Sequence, residues 1–220
     1  MVNPLAFIFD LNGTMVDDMQ YHNTAWHRIL NDDLKANLTR EQVAKQLHGK
    51  NEELLDRVFG KDRFTKDQVQ TISMKKEYAY QAAFKPHLEL ISGLPAFLAK
   101  AQKNSIKMAI GSAAITFNID FVLDNLHLRH YFDAIVSADE VAISKPDPET
   151  FLLAAKLLGV PPRNCIVFED APKGVEAALR AEMPCIVLTT MHEREEFLRY
   201  PNVLSYIADY TDPSLDELFT

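Results

Sequence analysis

Leu5-Ala6-Phe7-Ile8-Phe9-Asp10-Leu11-Asn12-Gly13-Thr14 decides how the rest of the chain is read. Five apolar residues without polar alternation mark a strand buried on both faces, the pattern of a parallel sheet. The run ends on a carboxylate and a glycine-containing turn. Later runs repeat the form: Ile106–Ile110 leads into Gly111-Ser112, Ala134–Val136 into Ser137, Cys165–Phe168 into Glu169-Asp170, and Cys185–Leu188 into Thr189-Thr190. Helical periodicity occupies Leu94–Lys103, Asn118–Asn125, Pro148–Leu158 and Gly174–Ala181. This alternation predicts an α/β fold with a doubly wound, mostly parallel sheet. Ligands of such sheets bind beyond the carboxyl ends of the strands, where Asp10, Ser112 and Asp170 fall.

The stretch from Asp17 to His87 shows helical periodicity and no β-rich run. His22, Trp26, Ile29 and Leu30 share one helical face, Thr39-Arg40-Glu41-Gln42 can cap a second helix, and Phe59-Gly60 with Lys61–Lys66 reads as a turn. The expected organisation is a core domain of residues 1–16 and 88–220 carrying a helical insert of residues 17–87, crossed near Val16 and Lys85–Gly93.

The 220 residues are 47% hydrophobic and 25% charged, with 23 Lys+Arg against 31 Asp+Glu and a formal net charge of −8. An acidic chain without a basic cluster repels a nucleic-acid backbone, so any phosphate ligand is expected to be small and held by local groups. No apolar run approaches the ~18 residues of a membrane span, and Met1–Pro4 lacks the character of a signal peptide. Cys165 and Cys185 show neither metal-ligand spacing nor a disulfide pattern. A monomer in the reducing cytoplasm, binding neither membrane nor nucleic acid, is the expectation.

A carboxylate delivered by a buried strand needs a positive partner, and Asp10 reads either as the cap of a strand-end turn or as a nucleophile or metal ligand. Ser112 can hydrogen-bond a phosphoryl oxygen, Lys145 in Ser144-Lys145-Pro146-Asp147-Pro148 supplies a cation, and Glu169-Asp170 supplies carboxylates. Together, and in this order, these residues resemble the four motifs of the haloacid dehalogenase-like hydrolase superfamily. Phe9–Thr14 matches the Asp-x-Asp-Gly-Thr motif except at Asn12, Ile110–Ala114 the Ser/Thr motif, Lys145–Phe151 the Lys-Pro motif, and Glu169-Asp170 the acidic pair. The resemblance covers nearly the whole chain. Val16-Asp17-Asp18 with Tyr21-His22 and Ala25-Trp26 is similar to the cap entry of the β-phosphoglucomutase-like subgroup.

The resemblance implies a Rossmann-like core with an inserted α-helical cap, and a Mg²⁺-dependent phosphatase acting on a small phosphorylated metabolite such as a sugar phosphate. By it, Asp10 becomes a covalent aspartyl-phosphate, and Asp10, Asp170 and the Asn12 carbonyl ligate Mg²⁺, with Glu169 behind them or bound through water. Lys145 bridges phosphate and Asp10, while Ser112 and the amides of Leu11 and Ala113 hold the non-bridging oxygens. The cap is expected to open for exchange and to close over the phosphate.

Asn12 departs from the family pattern. The usual carboxylate there protonates the leaving oxygen and then activates the attacking hydroxyl, whereas an amide trades no proton near neutral pH. His22, Asp17 or Asp18 could take over the proton; otherwise the substrate has a good leaving group, or the protein binds phosphometabolites and scarcely turns over. His22 is alternatively a histidine packed at the domain seam, and Trp26 a cap-core residue rather than a sugar platform. His48-Gly49-Lys50-Asn51-Glu52 resembles the subgroup's specificity loop, where Lys50 is the nearby cation or a solvated helix-start lysine. Ile115-Thr116 stands where mutases offer a Lys-Asn pair to a second phosphate, so a mutase is the alternative to single-phosphate hydrolysis. Dehalogenases of the superfamily lack an acidic pair such as Glu169-Asp170. The remaining aromatics fit helix faces packed on the sheet, and His87, His127, His130 and His192 have no metal-site spacing.

Overall fold

The computed structural model of the protein describes residues 4–219; residues 1–3 and 220, and with them most of the Met1–Pro4 segment, lie outside that range. Two compact units emerge, one of Met1–Asp17 with Glu89–Thr220 and one of Asp18–Leu88.

The first unit holds a six-stranded, all-parallel sheet made of β1 (Ala6–Phe9), β2 (Lys107–Gly111), β3 (Ala134–Val136), β4 (Cys165–Glu169), β5 (Cys185–Leu188) and β6 (Val203–Ile207). The spatial order is β3-β2-β1-β4-β5-β6. The chain therefore runs outward from β1 through β2 to β3, then returns to the other side of β1 and runs outward again. That reversal puts the topological switch at β1, so the loops after β1 and its neighbours β2 and β4 line the crevice where such sheets bind ligands.

The second unit is helical. It comprises α1 (Met19–Arg28), continued by a π-helical turn over Ile29–Asp33, then α2 (Arg40–Ala44), α3 (Asn51–Phe59) and α4 (Lys66–Phe84). Thr39 opens α2 through a reciprocal cap, its hydroxyl accepting from the Gln42 amide and its own amide donating to the Gln42 side chain. Trp26, Ile29, Leu30, Val43, Leu54 and Leu55 form the core of this unit, and Trp26 is a packing residue within it.

The helices that accompany the sheet are α5 (Leu94–Lys103), α6 (Thr116–Asn125), α7 (Glu149–Leu158) and α8 (Pro172–Arg180). All four residues of β1 are buried, as a strand covered on both faces requires. The two-residue period divides them. Ala6 and Ile8 join a core with Ala109, Phe151, Ala154, Val167, Val175 and Ala178, while Phe7 and Phe9 enter an aromatic cluster. There Phe9 stacks on Phe168 at 4.8 Å and Phe7 on Phe97 at 5.3 Å between ring centroids, and Tyr210 lies 5.7 Å from Phe168.

β6 lies outside the sequence expectation. It is an edge strand whose residues are mostly half-buried, with Leu204 exposed, so Val-Leu-Ser-Tyr-Ile carries no continuous apolar signal. A short 3₁₀ segment, Arg194–Phe197, precedes β6.

Truncating Phe168 to Ala removes the ring that touches both β1 phenylalanines, and urea unfolding should show a loss of about 3–5 kcal/mol. A loss below about 1 kcal/mol would mean that the aromatic face is not a closely packed core.

Candidate active site

Lys145 organises the carboxyl edge of the sheet. Its ammonium donates to Asp10 Oδ1 at 2.7 Å and to Glu169 Oε1 at 2.8 Å, and stands 4.6 Å from the centroid of the Phe151 ring. Three elements meet at this point: Asp10 directly follows β1, Glu169 ends β4, and Lys145 is carried by the segment between β3 and α7. Burial acts to discharge the ammonium, but the Asp10 and Glu169 carboxylates outweigh it and hold Lys145 above its usual range, so it is charged.

The carboxylates are crowded. Burial raises Asp10 to about 6 against the pull of Lys145, with repulsion from Glu169 adding to the rise. Asp170 is pushed well above the ordinary carboxylate range, first by burial and then by repulsion from Glu169 and Asp10. Three buried carboxyl groups thus share one ammonium, an arrangement that favours a further cation.

Glu169 is fixed at both oxygens. Besides accepting from Lys145, it takes the amides of Asp170 and Ala171 on Oε2, each at 2.8 Å. Its nearer task is therefore to anchor Lys145 and shape the turn into α8. Gly174, in the first turn of α8, makes this possible, because a Cβ there would lie 1.7 Å from Glu169 Oε1. Gly13 has the same relation to Asp170: its φ of +75° favours glycine, and a Cβ would sit 2.2 Å from Oδ2. From the sequence, Gly174 reads as a helix start with no part in the site. The available signal was a glycine in the first helical turn, shortly after an acidic pair.

Ser112, buried just after β2, accepts the Ala114 amide at 3.1 Å and acts on Asp10 against the upward push of burial. Thr14 Oγ1 donates to Asp170 Oδ1 at 3.5 Å. Leu11 is buried, and Asn12 and Ala113 are half-buried in the loops after β1 and β2. Among the described residues no group of three or more His, Cys, Asp or Glu side chains could hold a metal ion. An ion at this edge would draw on two carboxylates, a backbone carbonyl and water, an all-oxygen set that suits a hard cation such as Mg²⁺.

The structure thus brings Asp10, Ser112, Lys145, Glu169 and Asp170 together, while His22 and Lys50 belong to the unit Asp18–Leu88. His22 is buried there. Its Nδ1 lies 2.7 Å from Lys76 Nζ and its Nε2 3.5 Å from Asp18 Oδ2, and its ring stacks on Tyr80 at 3.8 Å. Burial, helped by Lys76, pulls its pKa below the usual 6.5, so the imidazole is neutral near pH 7. Asp18 accepts from the Tyr80 hydroxyl at 2.5 Å, whereas Asp17 is exposed. Lys50 is half-buried at the N-cap of α3, where its amide donates to Glu53 Oε2 at 3.0 Å. No described helix is long and apolar enough to cross a membrane, and Cys165 and Cys185 are free and buried.

A family model described as haloacid dehalogenase-like hydrolase matches residues 4–182. A fructose-1-phosphate phosphatase of Escherichia coli (strain K12) is 32% identical over 192 residues, covering 82% of this chain and 94% of that protein. The β-phosphoglucomutase of Bacillus subtilis (strain 168) is 32% identical over 185 residues, covering 81% and 80%. Among solved structures, a β-phosphoglucomutase from Clostridium difficile superposes with a TM-score of 0.85 at 26% identity, covering 98% of this chain and 97% of that one.

Replacing Gly174 by Ala drives a methyl group into the Glu169 carboxylate. Denaturant unfolding should register a loss of about 1–3 kcal/mol. Wild-type stability in this variant would show that Glu169 is not seated against the first turn of α8.

Proposed function

The chain belongs to the haloacid dehalogenase-like hydrolase family, and from that premise we propose that it is a Mg²⁺-dependent phosphatase of a small phosphorylated metabolite, with Asp10 as the nucleophile. The observation that carries this reading is the buried bridge from Lys145 to Asp10 and Glu169. It holds a permanent positive charge against the one carboxylate that follows the central strand.

Asp10 Oδ attacks phosphorus, the ester P–O bond breaks, and the phosphoryl group stays on Asp10 as an acyl phosphate that water then hydrolyses. Lys145 offsets charge on both carboxylate and phosphate, and Glu169 keeps Lys145 in place. Ser112 and the Leu11 and Ala113 amides orient the non-bridging oxygens. Asp10, Asp170 and the Asn12 carbonyl would hold Mg²⁺, with Glu169 behind them; the ion supplies the positive charge that lets an anionic nucleophile approach a phosphate dianion.

Asn12 sets the rate. The departing alkoxide and the attacking water must exchange their protons with solvent or with another side chain, because the amide at position 12 does neither. His22 is a poor substitute, being neutral, buried and engaged with Lys76 and Asp18. Esters with good leaving groups should therefore be turned over best. A catalytically weak phosphometabolite-binding protein is the limit of the same reading.

The mutase relatives favour a second reading, phosphoryl transfer between two hydroxyls of one sugar. Ile115-Thr116 argues against it. The Thr116 amide donates to Asp139 Oδ2 at 2.9 Å and its hydroxyl to Ser137 Oγ at 2.9 Å. The Asp139 carboxylate thus occupies the start of α6 and disfavours a second phosphate beside it.

Phosphate release from a panel of sugar phosphates and p-nitrophenyl phosphate should require Mg²⁺ and should disappear in Asp10→Ala; equal turnover by variant and wild type would end the proposal. Restoring a carboxylate with Asn12→Asp should raise kcat on sugar phosphates by ~10²-fold, within the range of general acid–base catalysis. An unchanged kcat would place the slow step elsewhere.

A further inference from the structure

The loop after β1 folds tightly on itself. The amides of Thr14, Met15 and Val16 all donate to the Leu11 carbonyl, at 3.3, 2.8 and 3.3 Å, and the Gly13 amide donates to the Val16 carbonyl at 2.7 Å. These bonds engage the carbonyls of Leu11 and Val16. The carbonyls of Gly13 and Thr14 are taken instead by side chains from far along the chain: Thr190 Oγ1 donates to Gly13 O at 2.6 Å, and the Tyr210 hydroxyl to Thr14 O at 3.1 Å.

Both donors stand on firm supports. Thr190 follows the end of β5, where the Thr189 amide donates to the Ile207 carbonyl at 3.0 Å and so ties β5 to β6. Tyr210 is buried. Its ring packs on Phe9, Phe97 and Phe168, and its amide donates to the Ser92 carbonyl at 2.9 Å. Thr190 falls at a strand end on the ligand edge of the sheet, and neither residue has a part in the chemistry above.

We propose that Thr190 and Tyr210 are positioning residues for the nucleophile loop. They clamp the Gly13–Thr14 and Thr14–Met15 peptide planes, and through them set where the Asn12 carbonyl and the Leu11 amide face. The clamp is needed because Gly13, at φ +75°, lacks the Cβ that would restrict its backbone and readily adopts other conformations. Thr14 also touches Asp170, so a shift of its peptide would disturb the carboxylate opposite Asp10. A displacement of ~1 Å in such a constellation costs ~10²-fold in rate. The catalytic consequence rests on Asp10 as nucleophile; the clamp itself does not.

The test compares Thr190→Val, Tyr210→Phe and the conservative Thr190→Ser, with p-nitrophenyl phosphate and Mg²⁺ as the assay and amide hydrogen exchange of residues 11–16 as an activity-independent readout. In Thr190→Val and Tyr210→Phe, exchange across the loop should quicken about tenfold or more while the rest of the sheet keeps its protection, and kcat should fall at least tenfold with KM within about twofold. Thr190→Ser should restore both. Wild-type exchange in Thr190→Val overturns the clamp, and quickened exchange with unchanged kcat overturns its role in positioning. Should Asp10→Ala turn over as wild type, the nucleophile reading fails, and the exchange comparison still decides whether the clamp exists.

Discussion

A single buried ammonium governs the ligand edge of the sheet. Lys145 is nearly inaccessible to solvent and would lose its proton in an apolar interior, yet two carboxylates from adjacent strands keep it charged. The dependence is mutual. Asp10 and Glu169 are themselves buried, and removing the cation from such a group leaves uncompensated charge, which is far more damaging than replacing the whole set by apolar residues. The fold accommodates this polar cluster because β1 and β4 are neighbours and end at the same level, Phe9 pairing with Phe168. The following residues, Asp10 and Glu169, then emerge side by side.

Around that ammonium the molecule leaves negative charge in excess. Asp170 faces Asp10 and Glu169 across the loop occupied by Gly13, and its carboxyl is held well above its ordinary range. In the proposed function such a site would take a hard cation and then a dianionic ligand, the order of charges that phosphoryl transfer requires. The proposed chemistry therefore rests on charge placement, while its weakest point is proton movement. Position 12 offers an amide, and the nearest histidine by sequence is committed to a buried cluster with Asp18, Lys76 and Tyr80 in the other unit.

Much of this was legible in the chain because burial on both faces removes alternation. Ala6–Phe9, Cys165–Phe168 and Cys185–Leu188 announce themselves as strands for that reason, Ala134–Val136 reads as one because it is wholly apolar although it lies at the other edge with Ile135 half-buried, and the order of Asp10, Ser112, Lys145 and Glu169-Asp170 carries the family resemblance. β6 was hidden because an edge strand shares its surface with solvent and its composition is mixed. Gly174 carried only the weak local signal of a glycine just after an acidic pair, whereas Thr190 was hidden for another reason: its importance lies in a contact with Gly13, and no local pattern records a contact between residues 177 positions apart. His22 could be placed on a helix face from periodicity, but its neutrality follows from burial and from Lys76, which sequence spacing does not reveal.

Asp10, in the proposed function, forms a covalent bond to phosphorus under the influence of Lys145. Intact-protein mass spectrometry after incubation with acetyl phosphate and Mg²⁺ tests it most directly. The account predicts a species heavier by one phosphoryl group in the wild type, mapping to Asp10, absent without Mg²⁺ and absent in Asp10→Asn. Its persistence reflects the missing base at position 12. A label that survives Asp10→Asn, or that maps to any other side chain, would contradict the account.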